Sequence, residues 1–361
     1  SANVGSGSVQ IVNRTGEILD SLAVHLYPNY PVLAKDIKPL ELPGEILVNQ
    51  QPVTVTKTLS DSLLFLQLDK PLQPGEQAKI EFGLKLEITT FGNLPEDVWV
   101  LRSPIPMIGV RDNGAWQQDN CSYCLDYVYS QAANFQISLT LPADWQIASN
   151  LDQTNILGAD NDDIPLTHVL SSGNTPVRDI AIVTSPRLQE ESRTFGDVDI
   201  KVFTLAGEDE VDIPALEQIF STAEESLRLF SDYFGSYPYR RLNLVILPGV
   251  GASGEGYPGM VFLYVKKDAK NLSFLVAREI ARQWWYGAVG NDIYLEPWLN
   301  ESLAEYSAVF YLEQDAGLKA SEARLQGYRN DMQVLSLSTG KDWKVGSSVL
   351  DFPDLDSYDT V

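Results

Sequence analysis

The first half of the chain is built from short apolar runs that alternate with polar positions or are rich in β-branched residues. They fall at 9–12, 22–26, 53–55, 63–68, 78–86, 135–141, 180–183 and 200–205. Each has strand length, and period-two patterning places one face in a core and the other in solvent. Turn-forming clusters separate them, among them Gln73-Pro74-Gly75, Asp112-Asn113-Gly114 and residues 158–163, which supply the backbone angles that chain reversal requires. Strands that follow one another through turns predict an antiparallel sandwich or saddle-shaped sheet.

After residue 205 the period lengthens. Pro214 opens a helix in which Leu216, Ile219, Phe220, Ala223, Leu227, Phe230 and Phe234 recur at helical spacing, and Gly235 ends it. Strands are predicted at 242–247 and 260–265, then helices at 270–288 and 297–315, a stop at Gly317 and a further helix near 319–335. The expected organisation is an α+β multidomain chain, with a β-rich domain over 1–205 and an α+β domain over 206–361. No repeat or low-complexity tract interrupts it.

The chemistry concentrates in two of those helices. Arg278 and Arg282 are four apart, so both project from one helical face, with Glu279 about 100° round from Arg278. Histidine at both positions would make the segment His-Glu-x-x-His, a zinc-peptidase signature whose glutamate is a general base, with Glu301 as the distant third ligand. Pro297 suits the first turn of the helix that would carry Glu301. Arginine has donors but no lone pair, so two of three metal ligands are missing as written. The only histidines, His25 and His168, lie in the β-rich half. No metal or other cofactor is therefore expected.

A glutamate between two arginines is ordinarily a solvated ion-pair face. Ile280, Ala281, Trp284 and Trp285 argue instead for a buried site. Two guanidiniums carry the charge that Zn²⁺ with two neutral histidines would carry. Arg278 and Arg282 are thus expected to bridge toward Glu301 and Glu279 through charge-assisted hydrogen bonds.

Further landmarks surround this segment: Gly290-Asn291-Asp292, Pro297-Trp298-Leu299-Asn300-Glu301 and Ala304-Glu305-Tyr306. Upstream stand Tyr27-Pro28-Asn29, Tyr233-Phe234-Gly235, Tyr237-Pro238-Tyr239 and Tyr257-Pro258-Gly259. Together they resemble the aminopeptidase N family of gluzincin zinc metallopeptidases. The resemblance implies a thermolysin-like (zincin-like) domain after the β-rich one. It puts Glu279 at the general base, Glu301 at the glutamate zinc ligand and Arg278 and Arg282 at the two histidine ligands. The family's amine-anchoring glutamate would fall at Gly256, with Glu255 one place earlier, so Glu255, Gly256 and Tyr257 are read as a degenerate substrate-binding loop. Residues 249–256 become a substrate-lining edge strand by the same resemblance; taken alone they are a glycine-rich loop without a phosphate-binding ending. The family's oxyanion tyrosine finds no match, Tyr358 being a poor candidate. Because the family continues through more helices, the second domain is expected to be C-terminally incomplete, with further domains in the full-length protein.

Composition narrows the partners. A formal net charge of −23 over 361 residues argues against nucleic acid, which requires a basic surface. No apolar run approaches the roughly eighteen residues of a membrane helix. Cys121 and Cys124 are the only cysteines; they read as a small disulfide of an extracytoplasmic or secreted protein, or as two idle thiols. The expected role is a catalytically inactive aminopeptidase-like domain that binds or scaffolds, with a peptide or protein as partner. The alternatives are an active zinc metallo-aminopeptidase with an atypical metal site, and a β-module that binds protein or carbohydrate.

Overall fold

A computed structural model describes residues 2–30, 40–58, 61–87, 94–118, 128–158, 164–207, 213–249, 251–266, 271–342, 344 and 346–352. Cys121, Cys124, Tyr358 and most of the 158–163 turn lie outside the described residues. The chain forms two compact units, Ser1–Thr89 with Leu101–Gln131, and Thr90–Val100 with Ala132–Val361.

The first unit is built on antiparallel strands. One sheet pairs Ala2–Val12 with Gln77–Glu87, which also carries Leu40–Glu41 and Leu47–Val48. A second runs Met107–Ile108, Leu19–His25, Leu63–Leu72, Thr54–Thr58. Leu22, Val24, Leu64, Leu66, Ala78, Ile80 and Phe82 meet in one core, as the alternation of each run requires. Asp112-Asn113-Gly114 is a tight reversal in which Asn113 and Gly114 take φ of 47° and 79°, the left-handed conformation these residue types tolerate. Tyr27-Pro28-Asn29 is a buried 3-10 turn whose Asn29 amide donates to the Leu40 carbonyl at 2.7 Å and accepts from its N–H at 2.9 Å.

The second unit centres on a five-stranded sheet ordered Leu188–Phe195, Val198–Leu205, Arg241–Pro248, Met260–Val265, Ala252–Tyr257. Val198–Leu205 and Arg241–Pro248 are parallel, and helix α1 (Ile213–Phe234) lies between them in the chain. Residue 205 is therefore inside this unit. A change of hydrophobic period marks a new element, whereas parallel pairing ties the elements on either side together. Leu216, Ile219, Phe220, Ala223, Leu227 and Phe230 of α1 pack with Ile200, Val202, Leu242, Leu244 and Ile246. Phe203, Leu205, Val245, Leu247 and Phe262 belong to a separate cluster, since successive strand residues face opposite ways.

Helix α2 (Leu272–Arg282) joins the first of these cores. It runs on into one π-helical segment, Gln283–Ala288, where the sequence pattern predicts a single helix. Gln283 is wholly buried there; its amide donates to the Tyr257 carbonyl at 2.9 Å and accepts from Gly259 N–H at 2.7 Å. Helices α3 (Glu301–Ala316) and α4 (Leu318–Thr339) follow, parted by Gly317 at φ 86°. Among the described residues no helix is long and apolar enough to cross a membrane.

Candidate functional site

Helix α2 delivers Arg278, Glu279 and Arg282, and the first residue of α3 delivers Glu301. Glu279 is 0% exposed and Arg282 3%, so the solvated-face alternative does not hold. The Glu279 Oε1 accepts from Arg278 Nε at 2.9 Å and lies 2.8 Å from Arg278 Nη2. Its Oε2 accepts from Arg282 Nη1 at 2.8 Å. Arg282 Nη2 donates to Glu301 Oε2, clamping α2 to α3. The other Glu301 oxygen accepts from the Asn300 amide at 2.9 Å, and the Asn291 amide donates to Asn300 Oδ1 at 3.0 Å. The Gly-Asn-Asp and Asn-Glu landmarks therefore orient Glu301 through a chain of side-chain amides.

Arg278 departs from the expected arrangement. Its Nη1 lies 3.6 Å from Glu305 Oε2 and makes no pairing with Glu301 within ion-pair distance among the described contacts. Glu305 Oε1 in turn accepts from Arg324 Nη2 at 3.3 Å and from the Tyr328 hydroxyl. Arg324 Nε donates to that hydroxyl at 2.6 Å, and its guanidinium lies 4.3 Å from the centre of the Phe274 ring. Glu305 stands in the Ala304-Glu305-Tyr306 landmark without having been singled out as a site residue, and Arg324 and Tyr328 escaped the motif reading. The available signal was spacing: Glu305 follows Glu301 by four, as Tyr328 follows Arg324, which puts each pair on one helical face.

Electrostatics keeps Arg278 and Tyr328 protonated. Burial works to lower the Arg278 pKa, but Glu279 pulls it up against the repulsion of Arg282, and with Glu305 and Glu301 the balance lies above the ordinary arginine value. Burial raises the Tyr328 pKa, and its bond to Glu305 raises it further, so the hydroxyl keeps its proton.

The strand Ala252–Tyr257 forms the edge of the sheet beside α2, as the edge-strand expectation for 249–256 has it. Its even-numbered glycines face the helix. A Cβ on Gly254 would stand 2.5 Å from Glu279 Cγ, and one on Gly256 would stand 3.0 Å from Arg282 Cβ. Glu255 and Tyr257 take the opposite face. Glu255 is 8% exposed and accepts from the Tyr257 hydroxyl at 2.8 Å. The register is regular, with Glu255 opposite Phe262 and Gly256 opposite Val261, so no bulge turns Glu255 toward Glu279. Of the three loop residues singled out in sequence, Gly256 lies directly against Arg282.

Zinc, the metal that the motif spacing suggests, does not suit this donor set. Arg278 and Arg282 offer protons where a metal needs lone pairs, and both Glu279 oxygens are already held by guanidiniums. Among the described residues no group of three or more His, Cys, Asp or Glu is placed to hold a metal ion. His25 and His168 lie on the strands Leu19–His25 and Leu166–Ser171.

No protein-family model matches the chain. Aminopeptidase M1-A of Oryza sativa subsp. japonica is 25% identical over 288 residues, covering 73% of this chain and 30% of that protein. Aminopeptidase M1-B of the same plant is 29% identical over 149 residues, 38% of this chain and 16% of its own length. Aminopeptidase M1 of Arabidopsis thaliana is 25% identical over 199 residues, 51% and 21% respectively. The chain thus matches less than a third of the length of these curated relatives. Among solved structures, the M1 zinc metallopeptidase from Deinococcus radiodurans has a TM-score of 0.64 at 18% identity, over 92% of this chain and 70% of its own. A variant of that enzyme bound to a Tyr-Ser-Ala substrate has a TM-score of 0.62 at 18% identity, over 91% and 71%. These neighbours share the fold.

Proposed function

We propose that this chain, which belongs to the aminopeptidase N family, is a non-hydrolysing member that works without zinc and binds a peptide or protein. One observation carries the reading. Glu279, at the position of the family's general base, is wholly buried with both oxygens engaged by Arg278 and Arg282. A general base must have an oxygen within hydrogen-bond reach of the water it deprotonates, and here two guanidiniums occupy those positions. A metal brought beside them would meet two fixed positive charges instead of two neutral imidazoles.

A peptide partner is supported by the edge strand Ala252–Tyr257, whose outer edge is placed to add main-chain hydrogen bonds to an extended chain. It is also supported by the Tyr-Ser-Ala substrate bound to a variant of the Deinococcus radiodurans enzyme. The test is elemental analysis of the untreated protein together with turnover of mixed aminoacyl substrates, with added Zn²⁺ and with chelator. The expected result is zinc far below one equivalent and no turnover above buffer. Stoichiometric zinc with chelator-sensitive turnover would overturn the proposal in favour of an active metallo-aminopeptidase.

A further inference from the structure

Three guanidiniums and three carboxylates meet at this site, joined by ion pairs that run from the buried Glu279 out to Glu305. Arg282, its side chain 4% exposed, serves both Glu279 and Glu301, whose side chains are 0% and 29% exposed. Arg278 and Arg324, with side chains 29% and 39% exposed, both reach the carboxylate of Glu305, itself 26% exposed.

The donors of these two arginines are incompletely used. Arg278 commits Nε and Nη2 to Glu279, while its Nη1 stands 3.6 Å from Glu305 Oε2, beyond hydrogen-bond distance. Arg324 commits Nε to Tyr328 and Nη2 to Glu305. Neither Nη1 group makes a hydrogen bond among the described residues. Arg324 is also held in place, since its guanidinium lies over the rings of Phe274 and Tyr328 at 4.3 and 5.1 Å. The two guanidiniums approach Glu305 from different helices and at different oxygens, so their orientation is set before any ligand arrives.

Half-exposed guanidiniums with unused N–H groups match the planar acceptor pair of a carboxylate. Nothing beside α2 on the edge strand would favour an ammonium instead. Gly254 and Gly256 carry no side chain toward the helix, and Glu255 is turned to the other face.

We propose that Arg278 and Arg324, arranged about Glu305, form a receptor for a peptide carboxylate. This rests on the reading that the chain binds peptide without hydrolysing it. The carboxylate can come from a peptide C-terminus or from an acidic side chain, and the probes must separate the two.

The experiment is calorimetric titration of the whole chain, with chelator present and ionic strength fixed. Four tripeptides serve as probes: Ala-Ala-Ala with a free carboxyl, its C-terminal amide, Ala-Glu-Ala amide and Ala-Gln-Ala amide. At least one acidic member should bind about tenfold more tightly than its neutral counterpart, the preference expected from one charge-assisted contact. Arg324→Gln should erase that preference while the melting curve shows a folded protein. Arg278→Lys, which keeps the charge but not the fork, should retain part of it. A C-terminal ligand is identified by the first pair of probes and an acidic side chain by the second. Equal binding of acid and neutral probes, a preference untouched by Arg324→Gln, or no saturable binding of any probe would each overturn the proposal. Failure of that kind without turnover leaves the non-hydrolysing reading standing, whereas chelator-sensitive cleavage of the probes would remove that reading itself.

Discussion

At Glu279 and Arg282 the fold holds charge where little water reaches. Removing one member of such a buried pair leaves the other without compensation, which typically costs about 3–5 kcal/mol. Arg282→Gln should therefore destabilise the protein by up to about 3 kcal/mol in urea unfolding, since it takes the cation from Glu279 Oε2, leaving Arg278 on Oε1, and releases Glu301. His25 makes a second residue-scale prediction. It is buried, its Nδ1 lies 2.7 Å from the Tyr30 hydroxyl, and its ring stacks on Tyr27 at 5.2 Å. Burial lowers its pKa from 6.5 to about 4, against a hydrogen bond with the Gln117 backbone that raises it. Above pH 6.5 both folded and unfolded states hold it neutral, so its contribution is fully present there. As pH falls from 6.5 toward 4 the unfolded chain takes up the proton first, and stability is lost across that window. The loss reaches about 3 kcal/mol once both states are protonated. Urea midpoints at pH 7 and pH 5 should differ more for the wild type than for His25→Phe. An identical difference in the two proteins would show that His25 does not titrate as stated.

At the scale of elements, the site depends on how closely one strand approaches one helix. The edge strand can lie against α2 because Gly254 and Gly256 have no side chains on that face. Gly254→Ala would place a Cβ 2.5 Å from Glu279 Cγ, on a side chain already fixed by two arginines. Overpacking of this kind costs about 1–3 kcal/mol, and the Tm should fall accordingly. Ser253→Ala, at an exposed neighbouring position, should leave it unchanged. Helix α4 is attached differently. Ser321 is its one fully buried residue among those described, and its polar hold runs through Arg324 and Tyr328 onto Glu305 and through Ser321 Oγ to Glu313 at 3.2 Å. The sequence predicts a helix near 319–335, but its weak apolar patterning could not reveal that polar side chains would fasten it.

At the scale of the whole molecule, a net charge of −23 favours solubility and works against anionic partners. Arg278 and Arg324, partly exposed about Glu305, stand out in so acidic a chain. Much of this was legible in the sequence. Period two and period 3.6 are local consequences of burying one face of a strand or helix, so the strand runs, α1 and the order of the later helices could be read from pattern alone. The pairing of Arg282 with Glu279 follows from three-residue spacing on one helix, and the loss of metal-ligating lone pairs follows from residue type. Tertiary structure alone decided the rest. It placed residue 205 inside a unit, because strand pairing joins residues that are distant in the chain. It turned Glu255 away from the arginines, because ladder register fixes which face each residue takes. It brought Glu305, Arg324 and Tyr328 to Arg278, because side chains from three helices meet only when the helices pack.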